Sequence, residues 1–309
     1  MKNLKLLAAL LALTIGLAGC GGSSKGGSTP SSKPEKMLDG DNMIASPSAK
    51  QEYTEPEDVT YMRLLAGEDE YRACVLYLGG SYEVTTDVQQ VLDSQQGLRE
   101  LCITDHVDTI HWGTLAPRDD FDWEESRRQF HEAQALWGDR ITLRRGAELG
   151  EAQLSFDRAD RLLAGEELDF VIGSVHLSGK KFANMDLYYI EKGSEAYYDS
   201  VIDSYLDDVL ALARWGRFQV LGHLTLPLRY INEHHGEHMT FRRHMDRVEE
   251  IFRAIIPQGV GIECNTNRGN EPLPGEEILR LYRSLGGEII TLGSDAHRPE
   301  DVGCFIRQR

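Results

Sequence analysis

Beyond about residue 70, short apolar runs alternate with amphipathic helical stretches along the chain. Each run is rich in leucine or β-branched residues and ends at glycine or a polar residue, which is typical of strands buried in a parallel sheet. The predicted strands are residues 74–78, 98–104, 141–147, 168–174, 218–222, 259–265 and 288–293, and the helical stretches between them include residues 122–137, 196–215, 241–256 and 275–285. Seven such repeats predict an α/β fold, in which helices cover the outside of a barrel of parallel strands.

Side chains that can bind metal ions accumulate where these predicted strands end. They are Asp105, His106, Glu148, His176, His223, Asp295 and His297, and Asn265 ends the sixth strand. In a closed parallel barrel the carboxyl ends of the strands meet at one face, where the loops form active sites. We therefore expect these distant residues to face one pocket. The alternative, that each histidine is a capped or core residue, does not account for their shared position.

Four histidines, two aspartates and one glutamate at one face form a ligand set for divalent zinc, iron or manganese. Close divalent ions can bind a phosphate ester, supply a hydroxide from bound water and stabilise the leaving oxygen. The sequence contains no Gly-rich phosphate loop and no Ser–His–Asp pattern that competes with this interpretation. The chemistry therefore predicts metal-dependent hydrolysis of a phosphate ester.

Several short motifs, taken together, resemble the PHP superfamily of metal-dependent phosphoesterases. They are ITDH at residues 103–106, GAE at 146–148, GSVH at 173–176, GHL at 222–224 and GSDAH at 293–297. The stretch GIECNT at 261–266, with its extension through Glu271 and Pro272, is similar to the histidinol-phosphatase branch. The resemblance covers roughly residues 74–303 and implies a distorted seven-stranded (β/α)7 barrel.

The resemblance also implies a centre of two or three divalent metal ions (Zn, Mn or Fe). The metal ligands it implies are His106, Glu148, His176, His223, Asp295 and His297, and those it places in catalysis are Glu148, His176, His223 and Asp295. In this scheme Glu148 bridges two ions, one of which is completed by the histidines 176 and 223 and the other by Asp295. The third ion is served by His106 and His297. Arg229 resembles a position that contacts substrate phosphate, and an exposed loop charge is the alternative for it.

The chain departs from the family pattern at both ends of the barrel. The family's first strand ends in a His-x-His motif, whereas residues 74–83 contain no histidine and His106 is the first histidine of the sequence. The site of Asp295 would thus lack two imidazole ligands. Since the sequence stops at Arg309, soon after the seventh-strand motif, we expect the barrel to be incomplete at its C-terminus.

The N-terminus has the pattern of an exported protein. Lys2 and Lys5 precede an apolar run over residues 6–17, which is too short to span a bilayer but suits the core of a signal peptide. The run ends in LAGC at residues 17–20, which resembles the lipobox of bacterial lipoproteins. This resemblance implies that Cys20 is lipidated and anchors an extracytoplasmic protein to the membrane. A buried apolar helix is the alternative, and the protein is cytoplasmic if the leader is not functional.

Three regions follow from these patterns. Residues 1–20 are the predicted signal peptide, residues 21–50 a flexible linker rich in Gly, Ser and Pro, and residues 51–309 the PHP barrel domain. The four cysteines beyond Cys20 lie in or beside apolar runs without CxxC spacing, so we expect them to pack as small hydrophobic side chains.

The net charge of −17 and the lack of a Lys/Arg cluster argue against nucleic acid as a partner. A small phosphorylated substrate is expected instead, and the resemblance favours hydrolysis of L-histidinol phosphate, a step of histidine biosynthesis. Because that pathway is cytoplasmic and the leader predicts export, an extracytoplasmic phosphatase, such as a protein-tyrosine phosphatase, is the alternative enzyme. The missing first-strand histidines leave open a non-catalytic metal-binding surface protein.

Overall fold

The computed structural model describes residues 73–74, 98, 100–297 and 301–306, and a curled parallel sheet forms its centre. Its strands are β1 (Ala73–Cys74), β2 (Glu100–Asp108), β3 (Ile110–His111), β4 (Ala116–Pro117), β5 (Thr142–Gly150), β6 (Phe170–Ser174), β7 (Val220–Leu221), β8 (Gly261–Asn265) and β9 (Ile290–Gly293). Strands β2, β5, β6, β7, β8 and β9 pair in that order, all parallel. Strands β3 and β4 form a separate antiparallel hairpin. The predicted α/β class with a barrel-like parallel sheet is confirmed.

The prediction of a seven-stranded barrel is confirmed only in part among the described residues. Six strands carry the curled sheet, and of the predicted first strand, residues 74–78, only Cys74 lies in a described strand. That strand, β1, has two residues and pairs with β2 through Ala73 and Cys74 and with β9 through Ala73. Four residues of the predicted first strand, 75–78, lie outside the described residues.

Between residues 100 and 297, five α-helices follow or separate the strands. They are α1 (Trp123–Trp137), α2 (Phe156–Leu163), α3 (Glu195–Trp215), α4 (Met245–Ile255) and α5 (Glu276–Ser284). Local chemistry sets their ends: the Asp122 side chain accepts a hydrogen bond from the Glu125 N–H at the start of α1, and Gly216 ends α3 at a φ of 63°. Helix α4 begins four residues later than predicted, because residues 242–244 form a 3₁₀ turn.

The main hydrophobic cluster joins the sheet to the helices. Helix α3 contributes Tyr198, Tyr205 and Leu206, and strands β5 and β8 contribute Ala147 and Ile262. Burying each of the large side chains stabilises the fold by about 1.5–3 kcal/mol. This cluster holds the strand ends in place and thereby positions the polar side chains that follow them.

Three of the cysteines that were expected to pack as hydrophobic side chains, Cys102, Cys264 and Cys304, are buried. His244 is buried between the carboxylates of Asp199 and Asp203. In the part of the chain that the structure describes, the helices are all too short or too polar to cross a membrane.

Asp208 of α3 is half-buried, and its Oδ2 atom has no hydrogen-bond partner among the described residues. Burial raises the pKa of Asp208 to about 6, and the carboxylates of Asp207 and Glu151 add to this effect. Because the folded-state pKa lies above that of an unfolded chain, ionised Asp208 opposes folding above about pH 6, and this cost disappears as the pH falls through both values.

Asp208→Asn should therefore raise the Tm at pH 8 by roughly 3 °C, equivalent to about 1 kcal/mol after allowance for solvent screening, and change it little at pH 4. Thermal unfolding followed by circular dichroism at both pH values measures the effect. Asp139→Asn, at an exposed position in the turn after α1, is the matched control and should leave the Tm almost unchanged. An equal gain at both pH values would contradict the assignment to ionisation.

Candidate metal centre

Glu148 lies at the centre of the predicted site. It stands on β5 directly opposite His106 of β2, and it is buried. Its Oε1 atom accepts a hydrogen bond of 2.7 Å from the Ser174 hydroxyl and lies 3.2 Å from His176 Nε2 and 3.1 Å from His223 Nε2. Its Oε2 atom lies 3.6 Å from His106 Nε2. The two oxygens of one carboxylate thus face different imidazoles.

Glu148, His176 and His223 form a group that could hold a metal ion. One ligand atom from each lies within 4.8 Å of the others, and the rings of the two histidines have their centroids 4.9 Å apart. A carboxylate oxygen with two imidazole nitrogens is a donor set that zinc, iron and manganese accept. Three residues separated by up to 75 positions in sequence are therefore brought together, as the convergence of strand ends predicts.

His106 flanks this group on the side of Glu148 Oε2, and His297 lies next to His106. The ring of His106 lies 5.6 Å from that of His176 and 6.2 Å from that of His297, measured between centroids. His297 is at the rim, where its Nδ1 atom lies 3.1 Å from the backbone carbonyl of Asp295. The structure thus places both predicted ligands beside the centre.

Asp295 and Arg229 form a buried ion pair next to the same cluster. Arg229 Nη1 donates to Asp295 Oδ2 at 2.9 Å. The alternative of an exposed loop charge for Arg229 is therefore wrong, since its side chain is buried. The predicted contact of Arg229 with substrate phosphate stays a prediction.

Asp105, one of the residues expected to face the pocket at the strand ends, points away from Glu148. Strands β2 and β5 continue past their predicted ends, so Asp105, His106 and Glu148 lie within strands. Successive side chains of a strand face opposite sides. His106 therefore faces Glu148, whereas Asp105 accepts a hydrogen bond of 2.7 Å from the Ser126 hydroxyl of α1.

Three buried carboxylates that were not predicted as site residues stand behind the histidines. Glu151 accepts the His176 backbone N–H at 2.6 Å, and its second oxygen lies 3.4 Å from His176 Nδ1. Glu263 accepts the His223 backbone N–H at 2.8 Å. Asp108 Oδ1 lies 3.7 Å from His106 Nδ1. For two of these carboxylates, only their position in the sequence could have indicated a place in the site. Glu151 is three residues past Glu148, and Glu263 lies inside the sixth-strand motif.

The carboxylates and imidazoles of the cluster shift one another's pKa values. Burial favours the neutral imidazole of His106, but the adjacent Glu148 carboxylate outweighs it and raises the pKa of His106 to about 9. The same kind of contact, with Glu151 and Glu148, raises the pKa of His176 well above its usual range despite burial. The pKa of Glu148 is held well below its usual range by His106, His176 and His223, although burial acts against this. A cation entering the centre would thus displace protons from the imidazoles.

Three further pKa shifts belong to charged groups around Asp295 and Arg229. Burial, together with the charge of Asp295, raises the pKa of Glu263 to about 8. The pKa of Asp295 is shifted the other way: burial raises it, but the guanidinium of Arg229 outweighs this and holds it far below its usual range. Burial and the neighbouring Arg229 lower the pKa of Arg268, so two guanidinium groups lie close together here.

An aromatic side chain lies over the rim. Trp112 follows β3 in the hairpin, is 39% exposed, and donates its indole N–H to Asp108 Oδ2 at 2.8 Å. Its ring approaches His176 edge-on, with 5.9 Å between ring centroids. The centre is thus bounded by imidazoles and carboxylates below and by an indole above.

The side chains around Glu148 offer donor atoms for one cation in a compact group and for a second cation in a looser one. Glu148, His176 and His223 offer a buried carboxylate and two imidazoles, and His106 with His297 offers two more imidazoles near the other oxygen of Glu148. At Asp295 the described surroundings do not fit a further cation, because the position beside Oδ2 already holds a guanidinium.

The chain matches the model of the PHP domain family over residues 80–267. The probable histidinol-phosphatase of Thermotoga maritima is 25% identical over 233 residues, covering 74% of this chain and 84% of the relative. The histidinol-phosphatase of Lactococcus lactis is 28% identical over 207 residues, covering 65% and 74%. The probable histidinol-phosphatase of Clostridium acetobutylicum is 27% identical over 166 residues, so the matched part is 52% of this chain and 63% of the relative's length.

Solved structures show the same fold. The crystal structure of histidinol phosphate phosphatase from Lactococcus lactis, complexed with zinc, L-histidinol and phosphate, matches with a TM-score of 0.59 at 20% identity, covering 77% of this chain and 91% of that chain. The putative histidinol phosphatase of Listeria monocytogenes matches with a TM-score of 0.60 at 17% identity, covering 75% and 96%. Since the PHP family model matches more than half of its length, the chain belongs to the PHP domain family.

Proposed function

We propose that this chain is a metal-dependent phosphomonoesterase that hydrolyses a small phosphate ester, with L-histidinol phosphate as the favoured substrate. The buried group of Glu148, His176 and His223, inside a PHP domain, is the observation that carries the proposal. Similarity to proteins named histidinol-phosphatase supports the choice of substrate.

The roles of the residues follow from their positions. Glu148, His176 and His223 would hold one divalent ion (Zn, Mn or Fe), and His106 with His297 a second on the other side of Glu148. When bound, such ions polarise a phosphoryl oxygen and lower the pKa of bound water, which generates a nucleophile near neutral pH. Glu148 is ionised and buried, so it supplies negative charge to both sides at once.

The remaining side chains would bind and orient the substrate. The guanidinium groups of Arg229 and Arg268 supply positive charge near the centre, which favours the approach of a phosphate dianion. Trp112 presents a partly exposed indole above His176 and could pack against the organic part of the ester. Since the indole N–H is held by Asp108, the ring orientation is fixed before substrate arrives.

A non-catalytic metal-binding protein is the second candidate, and one observation favours it. The sequence has no histidine before His106, so the two first-strand imidazoles of the family pattern are missing. In that case the chain would bind metal without turning over any phosphate ester.

The decisive experiment measures inorganic phosphate released from L-histidinol phosphate by purified full-length protein loaded with Mn²⁺ or Zn²⁺. We expect the double variant His176→Ala His223→Ala to lose at least about 100-fold in rate, since losing a ligand costs at least as much as losing its supporting partner. His131→Ala, at an exposed position on α1, is the matched control and should keep full activity. Release no faster than that of the double variant would remove the proposal, and release from a phosphotyrosine peptide alone would replace the substrate.

The cellular location is a separate proposal. The predicted signal peptide of residues 1–20, with Cys20, and the linker of residues 21–50 lie outside the described residues. The proposed PHP barrel domain, residues 51–309, is described from residue 73 on, with gaps that include most of its predicted first strand. We propose an extracytoplasmic lipoprotein held at the membrane through lipidated Cys20. Processing that is blocked by globomycin, together with recovery in the membrane fraction, would support it, and an unprocessed cytosolic chain would contradict it.

A further inference from the structure

Asp295 follows β9, and its carboxylate is buried beside a guanidinium group. Arg229 Nη1 donates to its Oδ2 atom at 2.9 Å, and both side chains are less than 15% exposed. Asp295 has a φ of 49°, a conformation that non-glycine residues rarely adopt, so the surrounding structure fixes its direction. A buried carboxylate requires a cation or several donors, and here a protein side chain supplies the cation.

Arg229 is held in place by groups on the neighbouring strand end. Its Nε atom donates to Asn267 Oδ1 at 2.8 Å, and Nη2 donates to Asn265 Oδ1 at 3.3 Å. Asn267 is fixed in turn, because its amide donates to Glu233 Oε1 at 2.6 Å and to the Glu271 carbonyl at 2.9 Å. The guanidinium is therefore part of a rigid network, and a long swing away from Asp295 would break three hydrogen bonds.

Three imidazoles of the centre are directed at Glu148, and the one nearest Asp295, His297, lies 3.8 Å from Oδ1 of Asp295 and not beside Oδ2, where Arg229 lies. His176 and His223 face Oε1 of Glu148, and His106 faces Oε2. The sequence offers no histidine before His106 that could approach Asp295 from the first strand. Among the described residues, a divalent ion at Asp295 would thus find few donors, and it would lie beside a fixed positive charge, which repels it.

We propose that the guanidinium of Arg229 takes the place of a metal ion at Asp295, so that this chain binds its ions only around Glu148. The proposal rests on the proposed metal centre but not on the identity of the substrate. It assigns to Arg229, besides the proposed attraction of the substrate phosphate, the neutralisation of the Asp295 carboxylate. It also explains how the first-strand imidazoles can be missing without leaving this buried charge unpaired.

The test combines metal counting with a double-mutant cycle in full-length protein. Wild type, Asp295→Asn, Arg229→Met and the double variant are loaded with Zn²⁺ or Mn²⁺ and desalted, and bound metal per chain is measured by native mass spectrometry. The Tm of each is measured in the metal-free state after chelation. His176→Ala His223→Ala marks the loss of the centre itself, and Arg253→Met, which removes an exposed ion pair with Glu249, is the control for the charge change.

We expect wild type and Asp295→Asn to bind the same number of ions, fewer than three. Arg229→Met should lower the metal-free Tm clearly more than Arg253→Met does, and the double variant should recover part of that loss because the carboxylate is also gone. Loss of one ion in Asp295→Asn, three ions in wild type, or no coupling in the cycle would overturn the proposal. A wild type that binds no ion would instead overturn the proposed function, and the metal-free cycle would then still decide the role of Arg229. If Arg229→Met does not fold, the ion count of Asp295→Asn decides.

Discussion

Replacing Glu148 by glutamine should reduce phosphate release by at least about 100-fold and lower the amount of bound metal, although the side chain keeps its shape. The carboxylate faces two imidazole nitrogens through Oε1 and a third through Oε2. Glutamine has one acceptor oxygen, so in either orientation its NH₂ group points at the position where an ion would bind. The negative charge that balances the cation is lost as well, and these two losses make this the largest expected effect.

The measurement is bound metal per chain together with phosphate release under identical loading conditions. Glu132→Gln makes the same chemical change at an exposed position on α1 and should alter neither quantity. The Ser174 hydroxyl can still donate to the amide oxygen of the variant, so the fold should survive, which the Tm verifies. Full metal content and full activity in Glu148→Gln would show that the centre lies elsewhere.

The position of this centre could be predicted because strand ends in a parallel barrel share one face. The alternation of apolar runs and helical stretches located β5, β6 and β7 well enough to place Glu148, His176 and His223 together. The chemistry of the ligand types then follows from the residues themselves. Neither the convergence of the strand ends nor the ligand chemistry depends on the exact length of a strand.

Orientation and pairing could not be predicted, because they depend on where each strand stops. Strand β2 runs on to Asp108, so the pleat turns His106 inward and Asp105 toward α1. The pairing of Arg229 with Asp295 joins positions 66 residues apart, and nothing in the local pattern distinguishes a buried arginine from an exposed one. Tertiary contacts alone decide these points.

The carboxylates behind the histidines were missed for a similar reason. Glu151 has a φ of 57° and forms no part of a regular strand, so neither a period of two nor a period of 3.6 applies to it. Its backbone is fixed independently of its side chain: the Thr109 hydroxyl donates to its carbonyl at 2.7 Å, and its own N–H donates to the Ser174 carbonyl at 3.2 Å. The side chain is therefore free to serve His176.

This arrangement predicts that Glu151→Gln weakens metal binding by about 10- to 100-fold. When Nε2 of His176 binds a cation, Nδ1 must carry the proton and needs an acceptor. In the wild type Glu151 provides two acceptor oxygens, at 2.6 Å from the backbone N–H and 3.4 Å from Nδ1 of His176. Glutamine provides one, so one of the two donors is left without a partner and the imidazole loses its fixed orientation.

The apparent Kd for Zn²⁺, measured by competition with a chelator, distinguishes this role from a purely structural one. Glu166→Gln is the matched control, because Glu166 is also a largely buried carboxylate but binds Arg127 and Arg145 away from the centre. Both variants should lose stability in the metal-free state, and only Glu151→Gln should lose affinity for Zn²⁺. A misaligned or wrongly protonated imidazole binds a cation less tightly than an aligned one. Equal Zn²⁺ affinities in the two variants would therefore mean that Glu151 stabilises the fold without orienting His176.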